Sequence, residues 1–167
     1  MNILLADLRA KQALYSEYGG QWSLLRAFFT DGTLAIILYR VQRGLVRMHL
    51  APLALVAQVL NKWFNGCVIG IGADFGPGLV LIHPIGTVIN SGARGGCNVR
   101  LQSGVVIGEN RGRSPTLGDD VFVGSGAKIF GALTVGSGAR IGANAVVLHD
   151  VAAGEAVVGI PARPLSR

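Results

Sequence analysis

Leu117, Val123, Ile129, Val135, Ile141 and Val147 recur at a strict interval of six, and Gly118, Gly124, Gly136 and Gly142 directly follow four of them. Period six matches neither the 3.6 of a helix nor the 2 of an ordinary strand, so the run is a repeat in its own right. The beat extends back through Ile89, Gly95, Leu101 and Ile107, and before them Ile69, Phe75 and Leu81. Of these thirteen positions only Gly95 is not apolar. The three blocks are joined by intervals of eight and ten residues rather than six, so extra chain must leave the repeat at 84–86 and at 109–116. Those two excursions are where chemistry is to be sought.

A narrow triangular prism of parallel strands satisfies this pattern. One apolar residue per side points to the axis, and a small residue two places earlier, such as Ala127, Ala139 or Ala145, fits beside it. Small residues at the corners accept positive φ without steric cost, and successive coils pair their backbones about 4.8 Å apart. Three hexads make a coil, so residues 69–150 supply between four and five coils, enough for a continuous core.

Residues 1–66 are of another kind. Leu4, Leu5, Leu8 and Tyr15 lie at helical spacing before Gly19-Gly20, which predicts a short first helix. Asp31 is placed to cap a second from about Thr33, and Pro52 separates that one from a third reaching Phe64. Arg40, Arg43 and Arg47 share a face of the second helix. This segment has seven basic and three acidic residues and so holds +4 of the net charge of +6. Either the helices pack on the solenoid and on neighbouring subunits with the arginines solvated, or their apolar face makes a peripheral, monotopic membrane contact with the arginines on anionic lipid. The uncharged run 50–60 is too short to span a bilayer. The basic residues are not interleaved with aromatics as a nucleic-acid surface would require. Cys67 and Cys97 have no paired spacing, so neither a disulfide framework nor a zinc site is expected. A reducing cytoplasm is the simpler expectation for such cysteines, and the amino terminus does not read as a secretory signal.

Four stretches carry a resemblance: Gly76-Pro77-Gly78-Leu79-Val80-Leu81-Ile82-His83, Gly104-Val105-Val106-Ile107-Gly108, Gly124-Ser125-Gly126-Ala127-Lys128-Ile129 and Val157-Val158-Gly159-Ile160-Pro161-Ala162-Arg163. Together they resemble the serine acetyltransferase branch of the hexapeptide-repeat acyltransferases over residues 67–164, with a weaker likeness at Ile37-Leu38-Tyr39-Arg40-Val41. The resemblance implies a mainly β protein: a left-handed parallel β-helix over 67–167 led by an α-helical segment over 1–66. It also implies a homotrimer, with acetyl-CoA as acyl donor in the groove between two subunits and no metal.

The family's general-base histidine falls on His83, which would take the proton of an acceptor hydroxyl, a step worth about 10²–10⁴-fold. His49 and His149 are expected to be structural. Small residues along the pantetheine arm correspond to Ser125 and Ala143, a basic residue near the nucleotide to Arg140, and Lys128 is a candidate phosphate contact. The departures are Val68 and Ile82, which stand where the family has carboxylates, and Ser114, which stands where it has a second histidine; Arg113 before it is retained. On that ground the expected acceptor is a sugar hydroxyl in exopolysaccharide or capsule synthesis, held by Glu109, Asn110, Arg113 and Ser114. Serine O-acetylation is the alternative, and a non-catalytic scaffold a third. A γ-carbonic anhydrase is disfavoured because His49, His83 and His149 have no spacing that would converge on zinc.

Overall fold

A computed structural model describes residues 2–165, so Met1 of the expected helical segment and Ser166 and Arg167 of the expected solenoid lie outside the described residues. Four helices come first: α1 (Ile3–Glu17), α2 (Leu24–Phe28), α3 (Thr33–Arg47) and α4 (Ala51–Asn65). The first solenoid coil is β1 (Val68–Ile69), β2 (Asp74–Phe75) and β3 (Val80–Leu81), and the second is β4 (Val88–Ile89), β5 (Arg94–Gly95) and β6 (Arg100–Leu101). Next come β7 (Val106–Gly108), β8 (Thr116–Leu117) and β9 (Phe122–Val123), followed by β10 (Lys128–Phe130), β11 (Thr134–Val135) and β12 (Arg140–Ile141). A final partial coil, β13 (Val146–Val147) and β14 (Ala156–Val158), is capped by antiparallel β15 (Arg163–Pro164).

The strands stack into three parallel faces: β1-β4-β7-β10-β13, β2-β5-β8-β11, and β3-β6-β9-β12-β14 with β15 at its edge. Their register carries the period. Lys128 pairs with Val146, eighteen residues on, which is three hexads. Val68 pairs with Val88 at twenty because of the excursion around His83, and Val106 with Lys128 at twenty-two because of the loop after Gly108. Twelve of the thirteen axial positions are buried. Gly95 is the exception for a packing reason: Phe75 pairs with it from the coil below, and a Cβ on Gly95 would collide with the Phe75 ring.

The helices pack on the solenoid, but through polar contacts that the apolar spacing of α1 does not announce. The buried stripe of α1 is Asp7, Lys11 and Leu14, while Leu5, Leu8 and Tyr15 are only half-buried. Asp7 accepts from Arg40 Nε at 2.7 Å and Nη2 at 2.9 Å, and from the backbone N–H groups of Gly78 and Leu79 at 2.8 and 3.0 Å. Arg40 also donates to Phe75 O and Gly76 O, both at 2.7 Å. Arg43 pairs with Asp74 at 2.7 Å. Thus Arg40 and Arg43 are neither solvated nor free for lipid, because each meets a carboxylate at the seam between helices and solenoid. No described helix is long and apolar enough to cross a membrane. The expected cap of α3 is also different: its N-cap is Gly32, with φ of 84° and no side-chain cap bond, which leaves the Asp31 carboxylate free for another partner.

Candidate active site

The first excursion begins where β3 ends. Leu81 and Ile82 are buried, and His83 turns the corner with φ of 49°, in the left-handed region that histidine tolerates better than branched side chains. Its ring is exposed, and Nδ1 lies 2.9 Å from Asp31 Oδ2. The 30–32 loop can approach because Gly32 has no side chain; a Cβ there would collide with Leu81 O. Phe29, Leu34, Phe64, Pro84 and Ile85 complete an open cavity of about 280 Å³ around the pair.

His83 stands at the first level of one edge of the prism, between the β3 and β4 faces. Backbone bonds climb that edge coil by coil: Gly104 N to Ile85 O, Gly126 N to Ser103 O and Asn144 N to Ser125 O. Ser125 and Ala143 are therefore on the edge that carries His83, the latter three coils away, about 14 Å along. Arg140 and Lys128 open the strands on either side of this edge and are exposed. The Arg140 guanidinium lies over the Phe122 ring, 4.9 Å from its centroid, and Lys128 Nζ donates to Gly126 O. Ser125, Ala143 and His83 thus share one edge, with Arg140 and Lys128 on the two faces that flank it.

Glu109, Asn110, Arg113 and Ser114 lie elsewhere. Their loop leaves the edge between β7 and β8, turned by an Asn110–Arg113 backbone pair, and its arginines line a separate cavity with Asn110 and Ala132. Glu109, Asn110 and Arg113 are exposed, whereas Ser114 Oγ turns back to donate to Asn90 Oδ1 at 3.0 Å. A single chain does not bring this loop to His83. His49 and His149 are exposed and remote from the His83 cavity. Among the described residues no group of three or more His, Cys, Asp or Glu is placed to hold a metal. Cys67 is enclosed, and burial pushes its thiol up to about 12, where it is inert at neutral pH.

Sequence reasoning did not connect Asp31 with His83, because 52 residues separate them. A Thr-Asp-Gly run before a helix reads as a cap, and nothing in the spacing redirects it.

No protein-family model matches the chain. Among curated proteins it is 38% identical over 137 residues to the serine acetyltransferase of Bacillus subtilis strain 168, covering 80% of this chain and 63% of that one. It is 36% identical over 151 residues to that of Helicobacter pylori strain J99, covering 88% of this chain and 87% of that one. The chain thus spans a little under two thirds of the Bacillus protein. Among solved structures, soybean serine acetyltransferase complexed with serine superposes with a TM-score of 0.88 at 33% identity, over 98% of this chain and 68% of the other. A serine acetyltransferase in complex with CoA gives 0.89 at 30% identity, over 98% and 68%.

These relatives overturn the expectation of a sugar acceptor in exopolysaccharide or capsule synthesis and favour the serine alternative. The structure supplies the physical reason. That expectation rested on Val68 and Ile82 standing where the resemblance implied carboxylates, but the His83 cavity does hold one, since Asp31 enters it from the helical segment. Given its identity to a relative that it spans almost whole, and a solenoid and helices that superpose on the solved members, the chain belongs to the serine acetyltransferase family.

Proposed function

We propose that the protein transfers the acetyl group of acetyl-CoA to the hydroxyl of serine. The observation that carries this reading is His83, exposed at the mouth of a cavity with Nδ1 engaged by a carboxylate and Nε2 left for substrate. In the proposed step His83 Nε2 takes the proton of the serine hydroxyl while its oxygen attacks the thioester carbonyl. The tetrahedral intermediate then expels CoA as thiolate, and the proton on His83 passes to that sulfur. CoA would run along the edge of Ser125 and Ala143, its pantetheine arm close to the small corner residues and its phosphates near Lys128 and Arg140. The binding of CoA by one family member and of serine by another supports this reading.

The site is proposed to be completed by assembly into a homotrimer. Val68, Val88, Val106 and Val146 form an outward apolar column on one face, interrupted by Lys128. The Glu109–Ser114 loop lies on the next edge from His83, so a threefold arrangement can carry one subunit's loop to its neighbour's base. Arg113 would then meet the serine carboxylate.

The test follows thiol release from acetyl-CoA with serine and, separately, with a panel of glycosides. Turnover with serine, reduced about 10²-fold or more in His83→Ala, is expected. Serine that releases no thiol above background would overturn the proposal.

A further inference from the structure

Helix α1 touches the two segments that carry the His83–Asp31 pair. Its Lys11 is fully enclosed, and Nζ donates to Thr33 Oγ1 at 2.7 Å, to Thr30 O at 3.3 Å and to Asp31 O. One turn later Leu14 is buried against Val80 and Ile82, the stretch that ends in His83. One rigid helix therefore grips the loop that carries the carboxylate and the strand that carries the imidazole.

We propose that α1 sets the geometry of the proposed base, with Lys11 a positioning residue that acts on His83 through Asp31. The inference rests on His83 as base. Three features support it. The pair is exposed, 63% for the histidine side chain and 73% for the aspartate, so its own attraction is too screened to hold 2.9 Å unaided. The loop is short and turns through Gly32, so its position depends on what anchors it. And a lysine is costly to enclose, its ammonium held well below its ordinary value, to about 8, by burial against the opposing pull of Asp31. A methionine would fill that space at lower cost, but only an ammonium satisfies three acceptors at once.

With Asp31 accepting from Nδ1–H, the neutral ring is held as the tautomer whose lone pair is on Nε2. Losing the anchor releases the carboxylate and with it that preference. A misplacement of about 1 Å at a reacting group costs up to about 10²-fold.

The test compares Asp31→Asn, Lys11→Met and the double variant by two readouts: kcat and KM with acetyl-CoA and serine, and the His83 tautomer from imidazole nitrogen shifts in the intact protein. Each single variant is expected to lower kcat about 10-fold or more with KM for acetyl-CoA nearly unchanged. Each should also shift the ring away from the Nδ1–H form. The double should fall little further than the worse single, as residues acting through one contact do. Should Lys11→Met not fold, Thr33→Val removes one of the ammonium's acceptors and is expected to shift the tautomer in the same direction by less. A Lys11 variant, or Thr33→Val in its place, with wild-type tautomer and kcat would overturn the inference, as would full additivity. The tautomer readout needs no activity, so a failure of His83 as base, seen as an active His83→Ala, remains distinguishable from a failure of the anchor.

Discussion

Asp7→Ala is expected to be costly to the join between helices and solenoid. Asp7 is 1% exposed and accepts four hydrogen bonds, two from Arg40 and two from backbone N–H groups of the first coil. Alanine would leave the Arg40 guanidinium, itself 8% exposed, without its counter-charge, and the Gly78 and Leu79 N–H groups without an acceptor. Removing one partner of a buried pair costs about 3–5 kcal/mol. Arg40 keeps Phe75 O and Gly76 O, so the low end, about 3 kcal/mol, is expected. For a chain of this size that corresponds to a fall in Tm of roughly 6–12 °C. Urea unfolding at fixed protein concentration, followed by circular dichroism, measures it, because subunit association would otherwise shift the midpoint. Arg40→Met and the double variant complete the cycle. The double should recover part of the loss, since the orphaned charge is gone while the two N–H groups stay unpaired. A single-variant loss below about 1 kcal/mol, the range of exposed pairs, would refute the reasoning.

Gly95→Val should destabilise by about 1–3 kcal/mol through overpacking, and Phe75→Leu in the same chain should recover some of it, since Phe75 occupies the space the new side chain needs; thermal denaturation of the single and double variants decides. Lys11 makes stability depend on pH. Its native pKa of about 8 lies below the 10.5 of the unfolded chain, so between those values the unfolded state holds more protons and its contribution to stability rises with pH. The difference in urea stability between wild type and Lys11→Met should therefore move in favour of wild type from pH 7.5 to 9.5; a flat difference would contradict the enclosed ammonium. Cys97, half-buried, should react with a thiol reagent well before enclosed Cys67, whose modification should track global unfolding.

The prism and its two excursions were legible because a repeat states its own geometry: each hexad places its apolar residue on the axis whatever lies elsewhere in the chain. Any departure from six, as between Leu81 and Ile89 or between Ile107 and Leu117, shows as a change of register. The helix boundaries near Thr33 and Pro52 were legible for a similarly local reason, although the short α2 was not singled out. The partners of the charged residues were not legible. Arg40 and Arg43 share a helical face, and that face reads equally well as solvated, lipid-facing or paired until Asp7 and Asp74 are placed against it.

Periodicity and capping act over a few residues, so the amino-acid sequence by itself determined the solenoid, its coil length and the corner that bears His83. The carboxylate beside that histidine was decided by tertiary structure alone. Asp31 reaches it across 52 residues, and Asp7 reaches Gly78 across 71, because α1 and the 30–32 loop are folded back onto the first coil. Such contacts depend on how two differently patterned segments dock, and docking is governed by shape and charge matched across the seam rather than by any spacing along the chain.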